Sequence, residues 1–209
     1  MNEKIHGTEE TSENNGFYCE PLSEELCQYI SGVSFVSSDD YDKALITYDD
    51  LMYVHVMHID FNGNPAEGEL ICNKKIANDL LEIFEELYKN KYEIEKIKLI
   101  DEYGADDVLS MADNNSSCFN YRFVAGTKKL SNHAYGMAVD INPFYNPYIT
   151  YNKDKTPNIS PPGSEEYADR SKNFPHKIDS DDLCVKLFKD HGFRWGGDWK
   201  HSKDYQHFD

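Results

Sequence analysis

Leu130-Ser131-Asn132-His133-Ala134-Tyr135-Gly136-Met137-Ala138-Val139-Asp140-Ile141-Asn142-Pro143 is the stretch around which the rest of the chain can be read. A histidine and an aspartate stand seven residues apart in it, with a glycine between them. Ala138-Val139-Asp140-Ile141 reads as a short strand carrying one buried acid. A buried carboxylate is costly unless it is paired or bound to a metal. An offset of seven sends His133 and Asp140 to opposite faces of a straight strand. They converge only if the chain bends, and Gly136 is the residue that permits a bend. Imidazole plus carboxylate is a partial ligand set for zinc. Asp204-Tyr205-Gln206-His207-Phe208 then offers a third ligand in His207.

Composition bounds the rest. A chain of 209 residues is long enough for one domain with a real core. Hydrophobic residues make up 39% and aromatics 13%, which favours a folded, β-containing domain over a disordered chain. The net charge of −17 argues against a nucleic-acid partner, because phosphate binding needs clustered Lys and Arg. It reads as solubility and selects no substrate. Cys19, Cys27, Cys72, Cys118 and Cys184 show no C-x-x-C pair, so a cysteine zinc site is not expected. Free thiols and one or two disulfides both remain open. No apolar run approaches the roughly 18 residues of a spanning helix.

Residues 1–16 are polar and read as a disordered or linker segment, leaving residues 17–209 as a single domain. Pro21 to Ile30 suggests a helix capped by Ser23 and ended by Gly32. Ser37 to Tyr41 reads as a polar turn. Leu51 to Phe61 is the clearest strand and stops at the turn pair Asn62-Gly63. His55 and His58 lie on opposite faces of it, poor geometry for shared ligation. Lys74 to Asn90 has the best helical periodicity, with Ile76, Leu80, Ile83, Phe84 and Leu87 on one face. Ile94 to Ile100 and Cys118 to Val124 read as further strands, separated by a mixed stretch ending in a polar loop, Asp113 to Ser117. Tyr151 to Lys177 is polar and rich in proline, and is expected to be a long loop walling a groove. Asp179 to Asp190 reads as a helix capped by Asp179 or Ser180 and stopped by Gly192. Tyr205 to Phe208 completes the chain as a strand.

On spacing alone, Arg122 is an exposed strand arginine. His191 reads as a helix C-terminal histidine, favourable to the dipole; His201 could line the site or support the residues that do, and His176 is expected to be exposed. Neither H-E-x-x-H, G-x-S-x-G nor a Walker-type glycine loop occurs.

Ser-x-His-x-x-Gly-x-Ala-x-Asp, Ser131 to Asp140, followed by Asp-x-x-His, Asp204 to His207, resembles the VanY-type zinc peptidases of bacterial cell walls. That group contains D-alanyl-D-alanine carboxypeptidases and L-alanyl-D-glutamate endopeptidases. Phe119-Asn120-Tyr121-Arg122 and Gly192-Phe193-Arg194-Trp195-Gly196-Gly197-Asp198-Trp199 extend the resemblance, which runs roughly from Asp49 onward. It implies an α+β fold: a small antiparallel sheet with helices packed on one side and the zinc site on the other. It also implies one zinc per chain, held by His133, Asp140 and His207, with an open position for water. Asp204 becomes the general base where many relatives carry Glu. Arg122 becomes a cation beside the scissile carbonyl, able to grip a developing oxyanion. Ser131, Tyr121, Trp195 and Trp199 are expected to contact substrate.

The implied partner is a peptidoglycan stem peptide, so the implied location is the cell envelope or outside the cell. No signal peptide is visible in residues 1–16, so a leader or anchor is expected to be missing from this sequence, with release from the cytoplasm as the other route. The rival reading is a non-catalytic zinc module that binds wall peptides or a partner protein. Asp204 and Arg122 speak against it.

Overall fold

The structure is a computed structural model and describes residues 15–36, 46–124 and 127–209. Of the segment expected to be a linker, residues 1–14 lie outside the described residues, as does the polar turn expected from Ser37 to Tyr41. The elements are, in order, β1 (Tyr18–Pro21), α1 (Glu24–Ile30), β2 (Leu51–Ile59), β3 (Pro65–Asn73), α2 (Ala77–Lys89), β4 (Lys96–Ile97) and α3 (Asp107–Ala112). Next come β5 (Asn115–Ser116), β6 (Val139–Asp140), β7 (Tyr148–Tyr151), β8 (Pro157–Ser160), α4 (Leu183–Asp190), β9 (Lys203–Asp204) and β10 (His207–Phe208). The class is α+β as expected. The strands form not one sheet but several small ones: β1-β2-β3, β8-β7-β9, β6 with β10, and a parallel pair of β4 and β5.

The β1-β2-β3 sheet and α2 make the scaffold. β2 and β3 pair antiparallel along their whole length, from Leu51 opposite Asn73 to Ile59 opposite Pro65. Val54, Val56, Leu70 and Cys72 point from this sheet into a core filled by Leu80, Ile83, Phe84 and Leu87 of α2. Each such side chain contributes about 1.5–3 kcal/mol by leaving water. Cys184, Val185 and Phe188 of α4 join the same core, and so do Val139, Ile141 and Phe208. Side chains alternate along a strand. With Val139 and Ile141 in the core, Asp140 between them faces away from it. The expected arrangement, helices behind and polar site in front, results from this alternation.

Several expectations are corrected. β3 was not anticipated, because Pro65 and Gly68 are depleted in strands; Pro65 occupies the first position, where its missing N–H matters least. Cys118 to Val124 does not form a regular strand. Phe119 N donates to Ile71 O, Asn120 N to His133 O and Tyr121 N to Ser34 O, so the hydrogen-bond partner changes at each residue and no ladder develops. Only Lys96–Ile97 of the strand expected from Ile94 to Ile100 pairs, before the chain turns into a 3-10 helix at Ile100–Tyr103. The stretch expected to be a polar loop after α3 is buried, with Asn114, Asn115 and Ser116 almost inaccessible. α4 is capped by Asp182, whose carboxylate accepts from Cys184 N at 2.7 Å.

Tyr151 to Lys177 is not a bare loop either. β8 folds back on β7 to make a hairpin, and Arg170 pins the segment beyond the hairpin. Its guanidinium donates to Tyr145 O at 3.1 Å, Asn146 Oδ1 at 3.2 Å and Ile178 O at 2.6 Å, and lies 4.2 Å over the Tyr205 ring. His176, expected to be exposed, is stacked on Phe61 and lies 3.3 Å from Glu93. All five cysteines are free. Among the described residues no helix is long and apolar enough to cross a membrane.

Candidate metal centre

The bend expected at Gly136 is present. Ser131 caps a 3-10 turn over Asn132–Tyr135, its Oγ accepting from His133 N at 3.3 Å. Gly136 closes the turn in the left-handed region at φ 63°. A side chain there would be strained by that φ and would also strike β3, since its Cβ would lie 2.6 Å from Asn73 N. Gly136 O in turn accepts from Asn73 N at 2.8 Å, docking the turn onto the scaffold. The chain thus reverses between His133 and Asp140, and the odd offset is absorbed.

β6 lies between two partners. Asp140 exchanges backbone hydrogen bonds with Ser117 on one side and pairs directly opposite His207 of β10 on the other. His133 Nε2 lies 3.2 Å from Asp140 Oδ2 and 3.2 Å from His207 Nδ1, and His207 Nδ1 lies 2.9 Å from Asp140 Oδ1. The candidate ligand atoms of the three residues fall within 4.8 Å of one another. All three side chains are buried.

The donor set fits a single metal ion. His133 Nδ1 donates to Cys118 O at 2.6 Å, which leaves Nε2 as a lone pair facing Asp140 and His207. His207 Nε2 faces Asp209 Oδ2 at 3.7 Å, which leaves Nδ1 for the cluster. Burial alone would raise the Asp140 pKa, but the facing His133 and His207 outweigh it and hold the carboxylate well below its usual range. Burial opposes charge on His207 as well. Hydrogen bonds to Asp140 and Asp209 prevail and push it up to about 10. Three polar groups thus face one another in a buried space, and a divalent cation taking the place of the His207 proton would satisfy all three.

A cavity of about 500 Å³ opens onto the cluster. Asp204 and Arg122 both line it. Asp204 sits on β9, opposite Tyr148 of β7, and is not one of the clustered ligands. Its Oδ1 is enclosed without a hydrogen-bond partner, and burial pushes its pKa up to about 7. Gly196 presses against it from behind: a Cβ on residue 196 would lie 2.5 Å from Asp204 O. Arg122 is held by Asp107, with Nη2 2.9 Å from Oδ2, while its Nε is buried and unpartnered.

The four expected substrate contacts divide. Trp199 lines the cavity, its ring 5.3 Å from that of His207. Ser131 lines it too, with its hydroxyl committed to the turn. Tyr121 is not on the cavity wall; it packs against the small cluster containing Phe35 and Phe119. Trp195 is likewise not on that wall and is a core residue, 4% exposed, donating through Nε1 to Tyr205 O at 2.9 Å. The aromatic turn therefore offers the cavity one tryptophan, because successive side chains around the 3-10 helix at Gly196–Asp198 diverge. His201 is exposed and does not line the cavity, and His191 caps α4 as expected, its Nδ1 2.9 Å from Leu187 O. His55 and His58 serve structure, bonding Gly16 O and Ile94 O.

Asp107, Gln206 and Asp209 also line the cavity and were not singled out in the sequence. Asp107 begins α3 and resembles an ordinary helix-dipole acid. Asp209 stands two residues after His207, a spacing that could have marked it as a partner for the imidazole.

Two imidazoles and a carboxylate converge in a buried space beside a cavity lined by a further acid and an arginine, a donor set that can hold one metal ion. Residues 125–209 match the family described as D-alanyl-D-alanine carboxypeptidase, an M15 zinc peptidase family. The match bears out the VanY-type resemblance over that segment, which carries His133, Asp140, Asp204 and His207. Arg122 and the Phe119–Arg122 motif precede it. No curated protein and no solved structure matches the chain.

Proposed function

We propose that this chain is a zinc-dependent peptidase that hydrolyses a peptide bond in peptidoglycan stem peptides, as a D,D-carboxypeptidase or an L-alanyl-D-glutamate endopeptidase. The observation that carries the reading is the meeting of His133, Asp140 and His207 at the floor of one cavity walled by Asp204 and Arg122. His133, Asp140 and His207 would hold the metal. When bound, zinc supplies Lewis-acid polarisation and acidifies water at its open position.

The remaining work falls to the chain. Asp204 presents Oδ1 without a partner, ready to take a proton and return it to the leaving amine. A raised pKa suits that double role, because the proton must be both accepted and released near neutral pH. Arg122 lines the cavity and its Nε is a buried donor without a partner, suited to the oxygen of the scissile carbonyl. Asp107 keeps the fork in place through Nη2. Trp199 forms one side of the groove. The reading places the protein's work at the cell envelope or outside the cell.

Mass spectrometry of muropeptides after incubation with the zinc-loaded protein tests this. Stem fragments cut beside a D-configured residue support it. Release of free D-Ala alone assigns a carboxypeptidase, internal cleavage an endopeptidase. Intact muropeptides at full zinc loading would contradict it.

A further inference from the structure

Gln206 is 2% exposed and lies between the proposed base and the ligand His207, on the cavity wall. Its two amide atoms are in different situations. Nε2 donates to Met111 Sδ at 3.5 Å. A thioether sulfur accepts only, so this neighbour fixes which end of the amide carries nitrogen. Oε1 is left buried with no hydrogen-bond partner.

An unpaired buried acceptor is expensive, and its neighbours in the cavity cannot relieve it. Asp204 Oδ1 and Asp209 Oδ1 are themselves unpartnered acceptors. Arg194 is engaged with Asp209, and Arg122 is held by Asp107 with its Nε kept for the scissile carbonyl in the peptidase reading. The position lacks an uncharged donor supplied from the cavity. A peptide provides such a donor at every residue as a backbone N–H.

Resting on the peptidase reading, we propose that Gln206 is a substrate-binding residue whose Oε1 accepts a hydrogen bond from a non-scissile backbone N–H of the bound peptide. It then selects for an extended peptide main chain in register with the cluster, independent of side-chain identity. Its contact exists before and during the reaction, so its loss should act on KM more than on kcat.

The test uses the zinc-loaded full chain and a cleavable wall stem peptide. A parallel series replaces one non-scissile amide at a time by an ester, which removes the N–H with little change of shape. For the wild-type protein, one ester position should raise KM about five- to tenfold, the worth of one neutral hydrogen bond. Gln206→Met should show a similar rise on the all-amide peptide and no further rise with that ester, the signature of a coupled pair. Retained zinc stoichiometry shows that the variant is folded. If no ester position weakens binding to the wild-type protein, the proposal is overturned without recourse to any variant. If the two losses add, Gln206 does not touch that N–H and the proposal is again overturned. Failure of the wild-type protein to cleave the all-amide peptide overturns the peptidase reading and this one with it.

Discussion

The β1-β2-β3 scaffold and the segment that carries the His133, Asp140 and His207 cluster are built in opposite ways. β2 and β3 are nine residues each and pair along their full length, over an apolar core. β6 and β10 are two residues each. The site is instead fixed by individual polar contacts: Ser131 Oγ to His133 N, His133 Nδ1 to Cys118 O, Asn73 N to Gly136 O, and Asp209 to His207. A long ladder spreads its stability over many bonds. A group held by one or two bonds can move when one atom is lost, and small displacements of reacting groups are costly. Substitutions in the scaffold should therefore register as stability, and those in the site as rate.

Asp204 offers the sharpest break. Asp204→Asn is nearly isosteric and should keep the zinc, yet turnover should fall about 10²–10⁴-fold, as for loss of a general acid–base group. Zinc analysis beside steady-state rates checks both halves. Loss of metal would make Asp204 a ligand. Asp204→Glu should recover part of the rate only, because Gly196 and β7 seat the backbone for the shorter acid.

Arg122→Lys keeps the charge and loses the fork that lets Asp107 hold one nitrogen while Nε stays unpartnered. Turnover should drop by up to about 10²–10³-fold with zinc content and melting temperature retained. Unchanged kcat would return Arg122 to a surface role.

On the other side of the comparison, Leu80→Ala removes a fully buried side chain of α2. It should cost about 2–5 kcal/mol of stability in denaturant titration. Turnover per folded molecule should stay as it was. A fall in that figure would mean that the scaffold tunes the site, and the division would fail.

The smallest effect is expected at Trp199. Trp199→Ala removes a cavity-wall ring without touching the core, so KM should rise by about two- to tenfold and stability should hold. Equal destabilisation would show that Trp199 belongs with Trp195.

These two kinds of region also differed in how far they could be read from sequence. α2 announced itself by period, and the convergence of His133 with Asp140 came from one glycine and an odd offset. His207 and Asp204 came from a motif. Other features depended on contacts distant in the chain. β3 contains Pro65 and Gly68, residues that argue against strands locally; full-length pairing with β2 decides the matter. Trp195 and Trp199 look alike in sequence, and only the turn between them sends one to the core and one to the cavity. Arg122 was legible as a cation but not as one held by Asp107, fifteen residues earlier on a different element. Gln206 carried no signal, since its role depends on what its two amide atoms face.

The most direct test of the account is metal content measured together with activity. The purified wild-type protein should carry about one zinc per chain, as a mononuclear three-ligand site requires. His133→Ala and His207→Ala should each lose the metal and wall-peptide hydrolysis together, and zinc added back to chelated wild-type protein should restore both. Full hydrolysis by a sample verified to be metal-free would contradict the assignment of His133, Asp140 and His207 as the centre of this protein's chemistry.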